Sequence, residues 1–85
     1  MSARTFHKFQ LLHHEDFTAP SRKFRLVKVV RSGDQKNGFK WNYFLIDDFE
    51  TSDVAFERAD VLAEAEDNPR ISFTIYNDQR RMLSR

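Results

Sequence analysis

The densest run of apolar residues in the chain extends from Phe39 to Ile46, and it predicts the central strand of a small sheet. Aromatic and β-branched side chains fill this run, and such residues suit a pleated, packed surface better than a helix. Alternate residues of a strand point to opposite faces, and both sets here contain large apolar groups. The two sets are Phe39, Trp41, Tyr43 and Leu45 on one face and Lys40, Asn42, Phe44 and Ile46 on the other. The central strand therefore needs a cover on each side.

A hairpin is predicted before this strand. Lys23 to Arg31 forms a second alternating run, and residues 32–38 turn the chain, because Gly33-Asp34 and Asn37-Gly38 are both turn signals. The register stays open at this point. A loop of all seven residues sets Arg31 opposite Phe39, whereas a tight turn at Asn37-Gly38 shifts the pairing and changes which side chains share a face.

A helix and a further strand are predicted after the central strand. Thr51, Ser52 and Asp53 are candidate N-caps for a helix that runs to about Glu66 and ends before Asn68-Pro69. Arg70 to Tyr76 alternates cleanly and predicts an amphipathic strand with one wet face.

The predicted fold is a single α+β domain over residues 1–85. It is a two-layer sandwich with an antiparallel sheet of three to five strands, one helix across one face, and the order (β)ββαβ(β). Residues 1–21 form either an extra strand or an arm. Residues 80–85 form either a short strand or a basic tail.

The composition indicates a folded, soluble protein, and the cytoplasm is the expected compartment. The chain has no cysteine, no apolar run long enough to cross a membrane and no apolar signal core. Its net charge of +1 conceals a division: residues 1–40 carry +6, residues 41–69 carry −8 and residues 70–85 carry +3. Such asymmetry indicates separate basic and acidic sides, unless neighbouring elements neutralise one another.

The polar clusters do not predict catalysis. The three histidines, His7, His13 and His14, match no established zinc spacing. The acids after the central strand lack the glycine and the ligand period of a calcium loop. No phosphate loop or nucleophile motif is present in the sequence. We therefore expect no enzyme activity, no cofactor and no metal.

The favoured hypothesis is a protein-interaction module, because one short helix cannot cover both faces of the sheet. The partner is either a second copy, giving a homodimer, or a larger protein for which this chain is an adaptor or inhibitor, of the kind that phages and mobile elements encode. Aromatic residues and arginine dominate interface energetics, and an uninterrupted acidic stripe on the helix suggests a basic partner. The residues expected at the contact are Arg25, Trp41, Tyr43, Phe44 and Tyr76, together with Glu57, Asp60 and Glu64 of the stripe.

Two other hypotheses stay open. In the second, the chain binds nucleic acid through its basic hairpin and tail, where cations track phosphates and rings stack on bases. The cations expected there are Arg31, Lys40, Arg80, Arg81 and Arg85. In the third, the N-terminal segment with Phe6, Phe9, Leu11 and Leu12 folds back as the missing cover of a monomer.

Overall fold

The computed structural model describes residues 9–84, and within them it contains one antiparallel sheet and one α-helix. The sheet has the order β1-β3-β2-β4-β5, with α1 between β3 and β4 in the chain. The elements are β1 (Leu11–Leu12), β2 (Phe24–Asp34), β3 (Gly38–Phe49), α1 (Ser52–Ala65), β4 (Ile71–Tyr76) and β5 (Met82–Leu83). The predicted α+β fold is confirmed, including the two outermost strands.

The hairpin is tighter than a seven-residue loop, so β2 and β3 are longer than predicted. The last pair joins Asp34 to Gly38 and leaves only residues 35–37 in the turn. Arg31 consequently lies opposite Trp41, and Val29 lies opposite Tyr43. Gly38, the first residue after the turn, has a φ of 86°, a left-handed backbone conformation that glycine adopts without steric cost.

The helix covers one face of the sheet. Its N-cap Thr51 accepts a hydrogen bond from the Val54 amide at 3.3 Å, which satisfies one of the free amides of the first turn. Ala55 is fully buried, and its small side chain lets the helix lie close to the sheet. The buried residues of this layer are Leu26, Ile46, Ala55 and Ile75.

The opposite face is partly covered by the N-terminal segment. Leu12 and Phe17 pack on Val27 and Leu45, and all four are buried. The chain thus supplies part of the second cover itself, as in the third hypothesis, through Leu12 of the residues named there and through Phe17. Phe9 and Leu11 are exposed, and Phe6 lies outside the described residues.

Candidate interaction surface

The far end of the β2–β3 hairpin projects beyond the rest of the sheet. Pairing with β4 begins at Val30, and β1 pairs only with Tyr43 and Phe44. Every residue from 31 to 42 is exposed. We call residues 31–42 the ribbon. It is a two-stranded extension that depends on the sheet behind it, because an isolated hairpin is marginally stable in water.

Two aromatic rings and an arginine lie together on one face of the ribbon. Trp41 is 52% exposed and Phe39 is 37% exposed, and their ring centroids are 6.1 Å apart. The Arg31 guanidinium carbon lies 5.1 Å from the centroid of the Phe39 ring, within the range of a cation–π contact. We call Arg31, Phe39 and Trp41 the aromatic end.

The aromatic end continues a row of rings that becomes buried towards the body of the protein. The Phe17 ring lies 4.6 Å from the Tyr43 ring and 5.1 Å from the Tyr76 ring, centroid to centroid. Both tyrosines were expected at a partner contact, and both are half-buried against Phe17. Burial raises the pKa of the Tyr76 phenol above its ordinary value, with a further rise from Tyr43 and an opposing effect of Arg80.

Two other residues expected at the contact lie elsewhere. Phe44 is half-buried and points to the helix side of the sheet, since strand alternation separates it from Tyr43. Arg25 is only 3% exposed. Its Nε and Nη2 donate to the two carboxylate oxygens of Asp48 at 2.8 and 3.0 Å, and its Nη1 donates to the Asp16 carbonyl at 2.7 Å. Arg25 therefore joins the N-terminal segment to the sheet and does not belong to an accessible surface.

The acidic stripe forms a second surface on the opposite layer. Glu57, Asp60 and Glu64 are exposed on α1. A shallow depression of about 420 Å³ is lined by Asp53, Phe56, Glu57 and Asp60. Because α1 covers the face away from Trp41, the stripe and the aromatic end cannot form one continuous contact.

The basic residues expected to bind nucleic acid are also divided. Arg31 and Lys40 lie on the ribbon. Arg80 and Arg81 follow β4, and its last residue, Tyr76, pairs with Arg25 near the opposite end of β2. The span from Arg25 to Arg31 is about 20 Å at the usual strand rise. Arg85 lies outside the described residues. Of the described candidate cations, Arg31 and Lys40 are therefore the two that lie together, on the ribbon.

Residues 9–84 contain neither a cluster of metal ligands nor a helix that could span a membrane. Within that range, no group of three or more His, Asp or Glu side chains is placed to hold a metal ion. His13 and His14 instead line a cleft of about 370 Å³ that Trp41 borders, and His7 lies outside the described residues. The described helix is too short and too polar to cross a bilayer.

Comparisons with known proteins do not assign a function. No protein-family model, curated protein or solved structure matches this chain.

Two residues of this region were not among the candidate residues. Phe39 shares a face with Trp41, and its position directly after the Asn37-Gly38 turn signal is a sign that it lies near the tip. Phe17 lies in a polar connection before Pro20. A single aromatic residue in a polar connection indicates that the connection packs on the core, because leaving the ring exposed to water would be unfavourable.

Proposed function

We propose that this chain is a non-enzymatic protein-interaction module that binds its partner through the aromatic end. One observation carries the proposal: Phe39 and Trp41 are exposed side by side, with Arg31 stacked on Phe39. Tryptophan and arginine are enriched among the few residues that supply most of the binding energy at protein interfaces. A stacked arginine is also partly ordered in advance, which lowers the entropy lost on binding.

The remainder of the molecule suits a small adaptor or inhibitor. The projecting ribbon can enter a concave surface that a flat sheet could not reach. The acidic stripe of Glu57, Asp60 and Glu64 lies on the other layer, and it would contact a separate basic region if the partner wraps around the domain. A second copy is an alternative partner, and it would make the domain a homodimer.

The proposal is tested with matched variants at two exposed apolar residues. Trp41 is 52% exposed on the ribbon, and Val61 is 53% exposed on α1. Tagged wild-type protein and the Trp41→Ala and Val61→Ala variants are used to capture proteins from the source cells, and each captured protein is then purified and titrated. We expect a partner that binds the wild type and Val61→Ala equally and Trp41→Ala at least tenfold more weakly.

A direct signal comes from Trp41 itself, because it is the single tryptophan of the chain. Burial of its indole at the contact shifts its emission to shorter wavelength. A partner that binds with no change in Trp41 emission and no loss in Trp41→Ala would contradict the proposal. Light scattering over a concentration series shows whether the partner is a second copy.

Nucleic acid is the second candidate, because of the charges on the ribbon. Residues 31–42 contain Arg31, Lys36 and Lys40 but only one acid, Asp34. Arg70 adds a fourth cation, since its Nη1 donates to the Gly33 carbonyl at 2.8 Å. Exposed rings beside cations also suit single-stranded nucleic acid.

Salt dependence separates the two candidates. With three or four cations on phosphates, the logarithm of oligothymidylate affinity falls against the logarithm of salt with a slope of about −2 to −3. The affinity is measured by the fluorescence anisotropy of a labelled oligothymidylate, which also works for Trp41→Ala, and Trp41 quenching is followed in the wild type. An affinity that falls steeply with salt and is lost in Trp41→Ala supports nucleic-acid binding. Absence of both binding and quenching at low salt excludes this candidate.

A further inference from the structure

The direction of the backbone groups of β3 follows from the hydrogen bonds of its neighbours. The Leu45 amide donates to the Gln10 carbonyl at 2.9 Å, so the backbone groups of Leu45 point away from β2. In an antiparallel ladder this direction alternates along the strand, and Tyr43, Trp41 and Phe39 point the same way. The Arg31 amide donates to the Arg70 carbonyl at 2.8 Å, so it points away from β3. Arg31 and Trp41 are therefore a non-hydrogen-bonded pair, which agrees with the outward direction of the Trp41 backbone groups.

β1 uses only part of this edge. It pairs with Tyr43 and Phe44 and ends there, and the following residues His13 and His14 line the cleft beside Trp41 without pairing as a strand. Among the described residues, no strand lies beside Phe39 and Trp41 on this side. The outward amides and carbonyls of these two residues therefore form a short open edge directly beneath the two exposed rings.

The opposite edge of the ribbon is less accessible. Arg70 contributes a backbone bond to Arg31 and a side-chain bond to the Gly33 carbonyl. A strand approaching β2 would have to displace Arg70. The open edge of the ribbon is therefore the β3 side.

We infer that the β3 edge at Phe39–Trp41 accepts an extended segment of the partner protein as an added strand, with an acidic residue opposite Lys40. This inference rests on the proposed function, and it specifies how the partner docks. Main-chain hydrogen bonds supply affinity in such strand addition, and alternate side chains supply specificity. Apolar partner residues would lie beside Phe39 and Trp41 on the aromatic face, and the acidic residue would meet Lys40 on the other face.

A second copy fits this edge poorly. The antiparallel register that uses both Phe39 and Trp41 in both copies places Lys40 opposite Lys40 of the other copy. The two lysines would form a non-hydrogen-bonded pair, in which the side chains lie closest together, and like charges directly opposite are destabilising. Exposed lysine on an edge strand also opposes pairing between identical edges. The charge of Lys40 therefore selects a partner strand with a carboxylate at this position.

The test uses capped peptides of known sequence. The first peptide is Thr-Val-Glu-Val-Thr, the second replaces Glu by Lys, and the third carries N-methyl groups on both Val amides, which removes their hydrogen-bond donors. Binding is followed by hydrogen exchange of the Phe39 and Trp41 amides and by Trp41 emission. We expect the Glu peptide to slow exchange at both amides, to bind about threefold tighter than the Lys peptide, and to lose binding when N-methylated.

The charge is tested by reversing it. In Lys40→Glu, the preference should change to the Lys peptide, with the melting temperature unchanged because Lys40 is exposed. Three results would overturn the inference: no protection of the two amides, equal binding of the N-methylated peptide, or no reversal in Lys40→Glu. Amide protection that rises with protein concentration alone would assign the edge to a second copy and would also overturn it.

The failure of this inference differs from failure of the proposed function. A captured partner that requires Trp41 but leaves the Phe39 and Trp41 amides unprotected would show docking through side chains without strand addition. In that case the proposed function stands and the inference is wrong.

Discussion

The ring of Phe17 lies 4.6 Å from the ring of Tyr43, and this contact joins a residue of the N-terminal segment to the centre of the sheet. Phe17 also stacks on Tyr76, with 23° between the ring planes. One side chain thus contacts two strands that are far apart in sequence. The second hydrophobic layer depends on it, because Leu12 is the only other buried apolar residue that this segment adds to the cluster described around Val27 and Leu45.

Phe17→Ala should lower the free energy of unfolding by about 3–5 kcal/mol, as for other buried phenylalanines. Phe9→Ala is the matched control, because Phe9 is 65% exposed in the same segment, and it should change stability by less than about 0.5 kcal/mol. Urea denaturation measures both. If Phe17→Ala does not fold, Phe17→Leu gives a smaller loss of the same sign, and equal stability of the Phe17 and Phe9 variants would contradict the assigned cover.

Arg25→Met should lower the free energy of unfolding by about 3 kcal/mol, because it leaves Asp48 without its bidentate partner. Arg25→Lys should lose less, since it keeps the charge but not the fork of donors. The control is the double variant Arg25→Met with Asp48→Leu, which removes both charges and should recover much of the loss. A double variant no more stable than Arg25→Met would show that the pair is not the source of the effect.

The two ribbon glycines should respond differently to alanine. Gly33 and Gly38 both have positive φ, so either substitution costs about 1 kcal/mol through the backbone alone. A Cβ at Gly33 would also collide with the Gly38 carbonyl, whereas a Cβ at Gly38 would meet nothing within 4 Å. We therefore expect Gly33→Ala to have the lower melting temperature and faster exchange of the Lys40 amide, which points towards β2. Equal values in the two variants would be inconsistent with this turn.

Stability should fall in alkaline solution through Tyr76. A phenol with a raised pKa holds its proton more tightly in the folded state, so its stabilisation is complete below the ordinary pKa of 10.0 and is lost as the pH rises through the folded-state value. Tyr76→Phe keeps the stacking on Phe17 and should reduce the fall in unfolding free energy above pH 10.0. The measurement is urea denaturation at several pH values. Parallel curves for the two proteins would exclude Tyr76 as the cause.

Local signals were sufficient for most of the fold. The helix begins after Thr51 and ends before Pro69 because capping and proline act on their immediate neighbours. The strands follow from alternation, which also places Trp41 and Phe44 on opposite faces. The alanine side chains of the helix are short, and they indicate that it can lie close against one face of the sheet.

The rest required long-range contacts. Phe17 meets Tyr43 and Tyr76 through the folded sheet, and nothing beside Phe17 in the sequence indicates those partners. Arg25 is buried because the register places it directly opposite Asp48, and that register depends on a β-bulge between Leu26 and Val27. The sequence could indicate a surplus of apolar surface, but it could not show how much of that surface the N-terminal segment covers.

The bond between Arg70 and the Gly33 carbonyl also limits the size of any assembly built on the ribbon. A sheet extension that is blocked along one border can lengthen in a single direction. A fibre of this chain would need both borders of every ribbon, one for each neighbour, so we expect discrete particles with one bound chain per ribbon instead of open-ended fibres.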